Sequence, residues 1–195
     1  MRRSKDSTEG FLVRQMNIGD TKEMAKYQIA TIEGDGIGPE VCSATVKVLQ
    51  EALGSGVMDF NQFPGGASHY VKSGFVLPEE TFVACQTSHA MLHGAAGLPE
   101  VTYPDGTEVG NDLHLQLRFK LDLFANVRPI RLYQGDFSPL KNRQAGDIDY
   151  VIVRENTEGL YASRGAGVLL RGEVATDTLV LTRKGVERIA KFAFE

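Results

Sequence analysis

No stretch of this sequence approaches the roughly 20 consecutive apolar residues needed to span a bilayer, so the reading contains no membrane helix. Cysteine is scarce: Cys42 and Cys85 are the only two in 195 residues. So few cannot build a disulfide framework, and both stand in helical patterns as buried thiols, which fits a reducing cytoplasm. A basic surface is missing too. Lys and Arg number 21 against 25 Asp and Glu, a net charge of −4, which offers nothing to nucleic acid. There is no internal repeat and no low-complexity tract. The opening MRRSKDSTEGFLVRQMNIGD lacks an apolar signal core, and its acidic residues argue against an organelle transit peptide. Residues 1–26 are read as a disordered extension outside the fold.

Two motifs are incomplete. GDGIGPE places Gly34 and Gly36 as a dinucleotide fingerprint would, but Pro39 occupies the third glycine position and Gly38 comes one place early. What remains is a tight strand-to-helix turn with a proline in the first helical turn. Cys85, His89 and His93 are spaced by four, as on a metal-binding helix face. HAMLH reads as a strand, however, and no glutamate completes a zinc motif, so a structural role is preferred.

What the sequence does contain is alternation. YQIATIE (27–33) reads as a buried strand, EVCSATVKVLQEAL as a helix with Val41, Ala44, Thr45, Val48, Leu49 and Ala52 on one face, and Gly54 as its C-cap. VMDFNQF (57–63) is a strand, PGGASHYVKSG opens a short helix, LPEETFVACQ starts another with proline and acids in its first turn, and HAMLHG is a third strand. Residues 94–111 form a long Gly- and Pro-rich loop of the kind that is often functional. LHLQLRFKLDLF is helical, NVRPIRLY extended, DIDYVIV a buried strand, GVLLRGEVATDTLVLT a hairpin or arm, and RKGVERIAKFAFE an amphipathic helix. Such order implies an α/β fold with a largely parallel sheet flanked by helices.

Three arginines stand near the ends of these elements: Arg118 on a half-buried helix, Arg128 before Pro129, and Arg154 at the end of a buried strand. Guanidinium groups are forked donors that match carboxylates bidentately, so a converging set suits a small di- or tricarboxylate. Tyr161 follows closely. A phenol beside such cations has its pKa lowered, which suits proton donation.

IEGDGIGPEV, LRFKLDLFANVRPIRLY and DIDYVIVRENTEGLY together resemble the β-decarboxylating dehydrogenases, the isocitrate/3-isopropylmalate/tartrate (D-malate) dehydrogenase family, from about Tyr27 to Glu195. The resemblance implies an isopropylmalate dehydrogenase-like fold, here incomplete, and NAD-dependent oxidation and decarboxylation of a malate-like 2-hydroxy diacid. It assigns Arg118, Arg128 and Arg154 to substrate carboxylates and Tyr161 to protonation of the enol. It sets Ile37, Gly97, Leu98, Asn111 and Asn156 beside the cofactor. Mg²⁺ or Mn²⁺ would polarise the substrate carbonyl, with ligands expected beyond residue 195.

The same resemblance divides the chain into the first part of a large α/β domain (27–133) and the start of a small domain (134–195) with a dimer-clasping arm at 165–181. Family members are nearly twice this long, and their catalytic lysine and metal-binding aspartates have no counterpart here. The expectation is a truncated chain, inactive alone, from an enzyme that forms a homodimer. The alternative is a non-catalytic remnant or regulatory subunit that binds dicarboxylates or a partner chain. Four residues before Arg118, where isopropylmalate enzymes present an apolar contact, this chain has His114, which favours a smaller or more polar malate such as tartrate or D-malate.

Overall fold

The protein is described by a computed structural model that covers residues 27–195; the expected extension at 1–26 lies outside the described residues. β1 (Tyr27–Ile32) is the central strand of a parallel sheet. It pairs on one edge with β2 (Met58–Gln62) and on the other with β3 (Ala90–His93). Neighbours on both edges and helices over the faces bury Ile29, Ala30, Thr31 and Ile32 in succession, as in other doubly covered parallel strands.

The crossovers are helical. α1 (Gly38–Leu53) carries Pro39 in its first turn and ends at Gly54, whose N–H returns to the carbonyl of Gln50. α2 (Ala67–Ser73) and α3 (Glu79–Thr87) link β2 to β3. α4 (Gly110–Lys120) follows the long loop. Its Leu113 and Leu117, one turn apart, join Ala30, Ile32, Ala67, Val76, Leu77, Cys85 and Val109 in the core. Cys42 and Cys85 are buried free thiols, as expected.

β4 (Ala125–Arg131) and β5 (Asp149–Glu155) form a separate antiparallel pair over seven residues. A two-stranded hairpin, β6 (Val168–Leu170) and β7 (Val174–Thr176), follows. α5 (Arg183–Phe194) is capped by Thr182, whose hydroxyl accepts the N–H of Gly185 at 3.0 Å.

Three expectations need correction. DIDYVIV reads as buried because it is apolar on both faces, yet Tyr150, Val151 and Ile152 are exposed, since among the described residues β5 has one strand neighbour and a helix against it. The α1 stripe is likewise open at Val41 and Val48. The long loop is also shorter than expected, because α4 already begins at Gly110.

Candidate functional site

α4 has two working faces. Leu113 and Leu117 enter the core, while Asn111, His114, Leu115 and Arg118, spaced by three and four residues, share the other side. Against that side stands the chain leaving β5. Between them lies a cavity of about 730 Å³ lined by Asn111, His114, Leu115, Arg154, Tyr161 and Arg164, with Glu155, Glu158 and leucines 160, 179 and 181 completing the wall.

Two of the expected arginines meet on Tyr161. The guanidinium carbon of Arg118 is 5.0 Å from the ring centroid and that of Arg154 is 5.5 Å, within the range of cation–π attraction. The Arg154 guanidinium, as donor and as charge, and then that of Arg118, hold the Tyr161 phenol below its ordinary pKa against a small opposing effect of burial. Arg118 also keeps a buried Nη1 with no hydrogen-bond partner. A buried donor of a charged group left unpaired is costly, and a ligand oxygen would relieve it.

The third arginine does not join this pair. Arg154 is opposite Asn126 in the β4–β5 ladder, and Arg128 is two residues further along the same strand face. It is exposed, and its Nε donates to the side-chain oxygen of Asn126 at 3.0 Å. The convergence is therefore two guanidinium groups on one phenol, with Arg128 set apart.

The segment carrying Arg154 and Tyr161 is held from behind. The Glu155 carboxylate accepts the N–H groups of Thr157 (2.9 Å) and Glu158 (2.6 Å) and the Thr157 hydroxyl (2.6 Å). Arg188 of α5 donates to Glu155 (3.2 Å) and to Asp122 (2.9 Å), with its guanidinium 4.6 Å over the Phe124 ring. Burial pushes the Glu155 carboxyl up, but the donors from Thr157, Glu158 and Arg188 outweigh it and the pKa falls. Further along, buried Ser163 donates to the carbonyl of Thr178, which ties the turn after Tyr161 to the strand-like return.

The residues assigned to a cofactor divide. Ile37 is 60% exposed on the glycine turn, and no atom approaches the position a Cβ would take on Gly36, so that turn offers an open apolar ledge. It is locked to the loop after β3 by buried Asp35, whose carboxylate accepts the N–H groups of Ala67 (2.7 Å), Ser68 (2.7 Å) and Gly97 (2.8 Å). Asn111 lines the cavity. Leu98, by contrast, packs against the core. Asn156 is buried, with its amide nitrogen directed at the carbonyl of Leu123 (3.4 Å) and its oxygen facing Asn126 (3.5 Å), so neither of these two side chains faces the cavity. Among the described residues no group of three or more His, Cys, Asp or Glu is placed to hold a metal ion. His89 is occupied structurally, accepting the Gln28 N–H at 3.1 Å and stacking edge-on with Tyr27.

Sequence reasoning missed Arg164, Asp112 and Arg188. The helical spacing from Asn111 to Arg118 could have flagged the α4 face, but Arg164 lies in irregular chain and carries no periodic signal.

Residues 28–195 match the protein family described as isocitrate/isopropylmalate dehydrogenase. The chain belongs to that family. A 3-isopropylmalate dehydrogenase of Bifidobacterium longum (strain DJO10A) is 44% identical over 177 residues, covering 88% of this chain and 50% of the relative. One from Corynebacterium glutamicum (strain R) is 41% identical over 170 residues, covering 86% and 48%. Among solved structures, an isocitrate dehydrogenase from Methylococcus capsulatus superposes with a TM-score of 0.70 at 32% identity, over 86% of this chain and 46% of that one. A β-decarboxylating dehydrogenase from Thermococcus kodakarensis gives 0.62 at 37% identity, over 85% and 44%. The chain thus spans about half the length of the curated relatives it matches, and its α/β fold with a helix-flanked parallel sheet is theirs in part.

Proposed function

We propose that this chain supplies the carboxylate-binding and proton-donating half of a dehydrogenase that oxidises and decarboxylates a malate-like 2-hydroxy diacid. The observation that carries this reading is the meeting of Arg118 and Arg154 on Tyr161, with Arg154 and Tyr161 in the wall of the cavity. Arg154 and the unpaired Nη1 of Arg118 bind substrate carboxylates. Arg128, two positions along the same face from the residue opposite Arg154, would have to leave Asn126 to meet the far end of the acid. Tyr161 holds a proton at its Oη that the cationic pair makes easier to release, and delivers it to the enol carbon left after carbon dioxide departs.

A nicotinamide dinucleotide, when bound, supplies the two-electron acceptor for the hydroxyl. The exposed Ile37 ledge and the Asn111 side chain suit it, while the Gly97 N–H is taken by Asp35 and the Leu98 and Asn156 side chains are packed elsewhere. A divalent ion does not find a matching set among the described residues, and no step here depends on one. We assign residues 27–133 to the first part of the large domain and 134–195 to the start of the small one. The arm at 165–181 shows Leu169, Leu170 and Leu179 to solvent, a surface that suits clasping a second copy. No described helix is long and apolar enough to cross a membrane, and the two buried thiols suit a reducing compartment such as the cytoplasm.

Calorimetric titration with D-malate or tartrate tests the reading. The wild-type chain should bind, and Arg154→Ala should weaken binding about tenfold or more, since a charge-assisted hydrogen bond is lost; equal affinities would overturn it. NADH formation with Mn²⁺ and NAD separates catalysis from binding alone. On this reading the family's lysine and aspartates are not among these 195 residues, and the expected result is binding without turnover.

A further inference from the structure

We propose that Arg164 is a positioning residue: through its hydrogen bond to Asp112 it straps the turn that carries Tyr161 to α4, and so keeps the phenol beside Arg118 and Arg154. This rests on the proton-donating reading of Tyr161 above and adds what holds the donor in place. Arg164 Nη1 donates to Asp112 Oδ1 at 2.7 Å, and the Arg164 backbone N–H returns to the Tyr161 carbonyl at 3.3 Å. One tight turn therefore begins at Tyr161 and ends at Arg164. Asp112 and Arg118 are six residues apart on α4 (118 − 112), about 9 Å along its axis. The turn is thus fastened to the helix at two separated points, by the ion pair near the start of α4 and by the ring contact near its end.

Asp112 is a fixed anchor for this strap. Its Oδ2 accepts the Tyr103 hydroxyl at 2.9 Å, and the Tyr103 ring meets Tyr70 edge-on at 5.2 Å, both rings packed against the core. Burial, then the hydrogen bond to Asp112 and its charge, push the Tyr103 phenol up to about 12, so it remains a donor to Asp112 throughout the neutral range. The ring contacts alone do not hold Tyr161. Residues 156–164 contain no helix and no named strand, and fixing each backbone unit of such a segment costs more entropy than a partly exposed cation–π contact returns. Two further ties, from Gly159 to Val180 and from Ser163 to Thr178, lead toward the return strand and not to α4. The acids nearby are occupied: Glu155 by Thr157 and Arg188, and Glu158 by Thr182. The Arg164–Asp112 bond is a tie to α4 that does not pass through the phenol itself.

The test is an ultraviolet titration of phenolate, with Tyr161→Phe identifying the Tyr161 phase and circular dichroism showing that each variant is folded over the pH range used. Arg154 and Arg118 are the groups that lower the Tyr161 pKa, and Arg164 is not among them. Arg164→Gln should nevertheless lose the early phase, which merges with ordinary tyrosines near pH 10, because the phenol leaves its two cations. Asp112→Ala separates position from charge. Removing a carboxylate lowers a nearby phenol pKa by charge alone, whereas release of the strap raises it. Arg164→Lys, which retains a cationic donor for Asp112, should keep the early phase. Should Asp112→Ala fail to fold, Arg164→Gln decides, since the Arg164 side chain is 39% exposed. An early phase that stays unmoved in either folded variant, or is missing from wild type, overturns the strap. D-malate binding by wild type, measured calorimetrically, is the separate test of the carboxylate reading: no binding overturns that chemistry, and the phenolate titration still decides whether Arg164 positions Tyr161.

Discussion

The guanidinium of Arg118 stands 5.0 Å from the centroid of the Tyr161 ring, although 43 positions separate them in sequence (161 − 118). Arg154 approaches the same ring, and the two cations lower the phenol pKa. The direction is fixed by charge, because a phenolate is stabilised beside a cation and a neutral phenol is not. An ultraviolet titration of phenolate should show one early-ionising group among the six tyrosines. That phase should vanish in Tyr161→Phe and move to higher pH in Arg154→Ala. A wild-type curve with no early phase would contradict the arrangement.

Asp35 yields a prediction in stability. Its carboxylate accepts three backbone N–H groups from two separate segments. Burial raises its pKa, but the donors at Ser68, Gly97 and Ala67 prevail and the net shift is downward. For a carboxyl lowered in the folded state, the stabilisation is complete above its unfolded value, near 3.8, and is lost as pH falls through the folded value. Asp35→Asn keeps one acceptor oxygen and sets an amide N–H₂ against a donor. It should cost about 1–3 kcal/mol at neutral pH in urea denaturation, and the gap to wild type should narrow in acid.

The parts of the fold visible in sequence are those with a single period. β1, α1 and α3 were readable because apolar spacing, a proline in the first turn and Gly54 all agreed. β5 was readable as a strand but not in its exposure, since an apolar run looks the same whether or not anything covers it. The motifs singled out Arg118, Arg154 and Tyr161, whose side chains the structure brings together. The placement of Arg128 on Asn126, the inward turn of Leu98 and the pairing of Arg164 with Asp112 depend on tertiary register and irregular chain, which no local pattern encodes.

Arg188 offers a test of how the site segment is supported. It bridges Asp122 and Glu155 and covers Phe124, joining α5 to the end of the β4–β5 unit where the chain enters β4 and leaves β5. Lysine has the charge but not the planar fork that serves two carboxylates and a ring together. Arg188→Lys should therefore destabilise by about 1.5–3 kcal/mol, read by thermal unfolding. A melting curve superimposable on wild type would show that the network contributes nothing.

The thiols report on the same packing. Burial raises the pKa of Cys42, aided by the charge of Glu33, and burial alone raises that of Cys85. A protonated, enclosed thiol is a poor nucleophile. Disulfide-exchange reagent should titrate neither in the native protein and both in denaturant; rapid reaction of one native thiol would mean that its helix opens readily.

The last prediction concerns the contact that sets one wall of the cavity. α4 begins at Gly110, and a Cβ added there would fall on the backbone of Gly97, well inside contact distance. Neither partner is the flexible end of a side chain, so relief requires the 94–97 loop or the helix to move. That loop is pinned by Asp35 to Gly97, and the helix by Leu113 and Leu117 in the core. Strain therefore cannot be absorbed locally. Gly110→Ala gains helix propensity of about 1 kcal/mol yet should lose more through the clash, lowering stability by roughly 1–3 kcal/mol. Because Asn111 and His114 ride on the same helix, acid binding should weaken with it. A variant more stable than wild type would show that the two backbones are not as close as the structure places them.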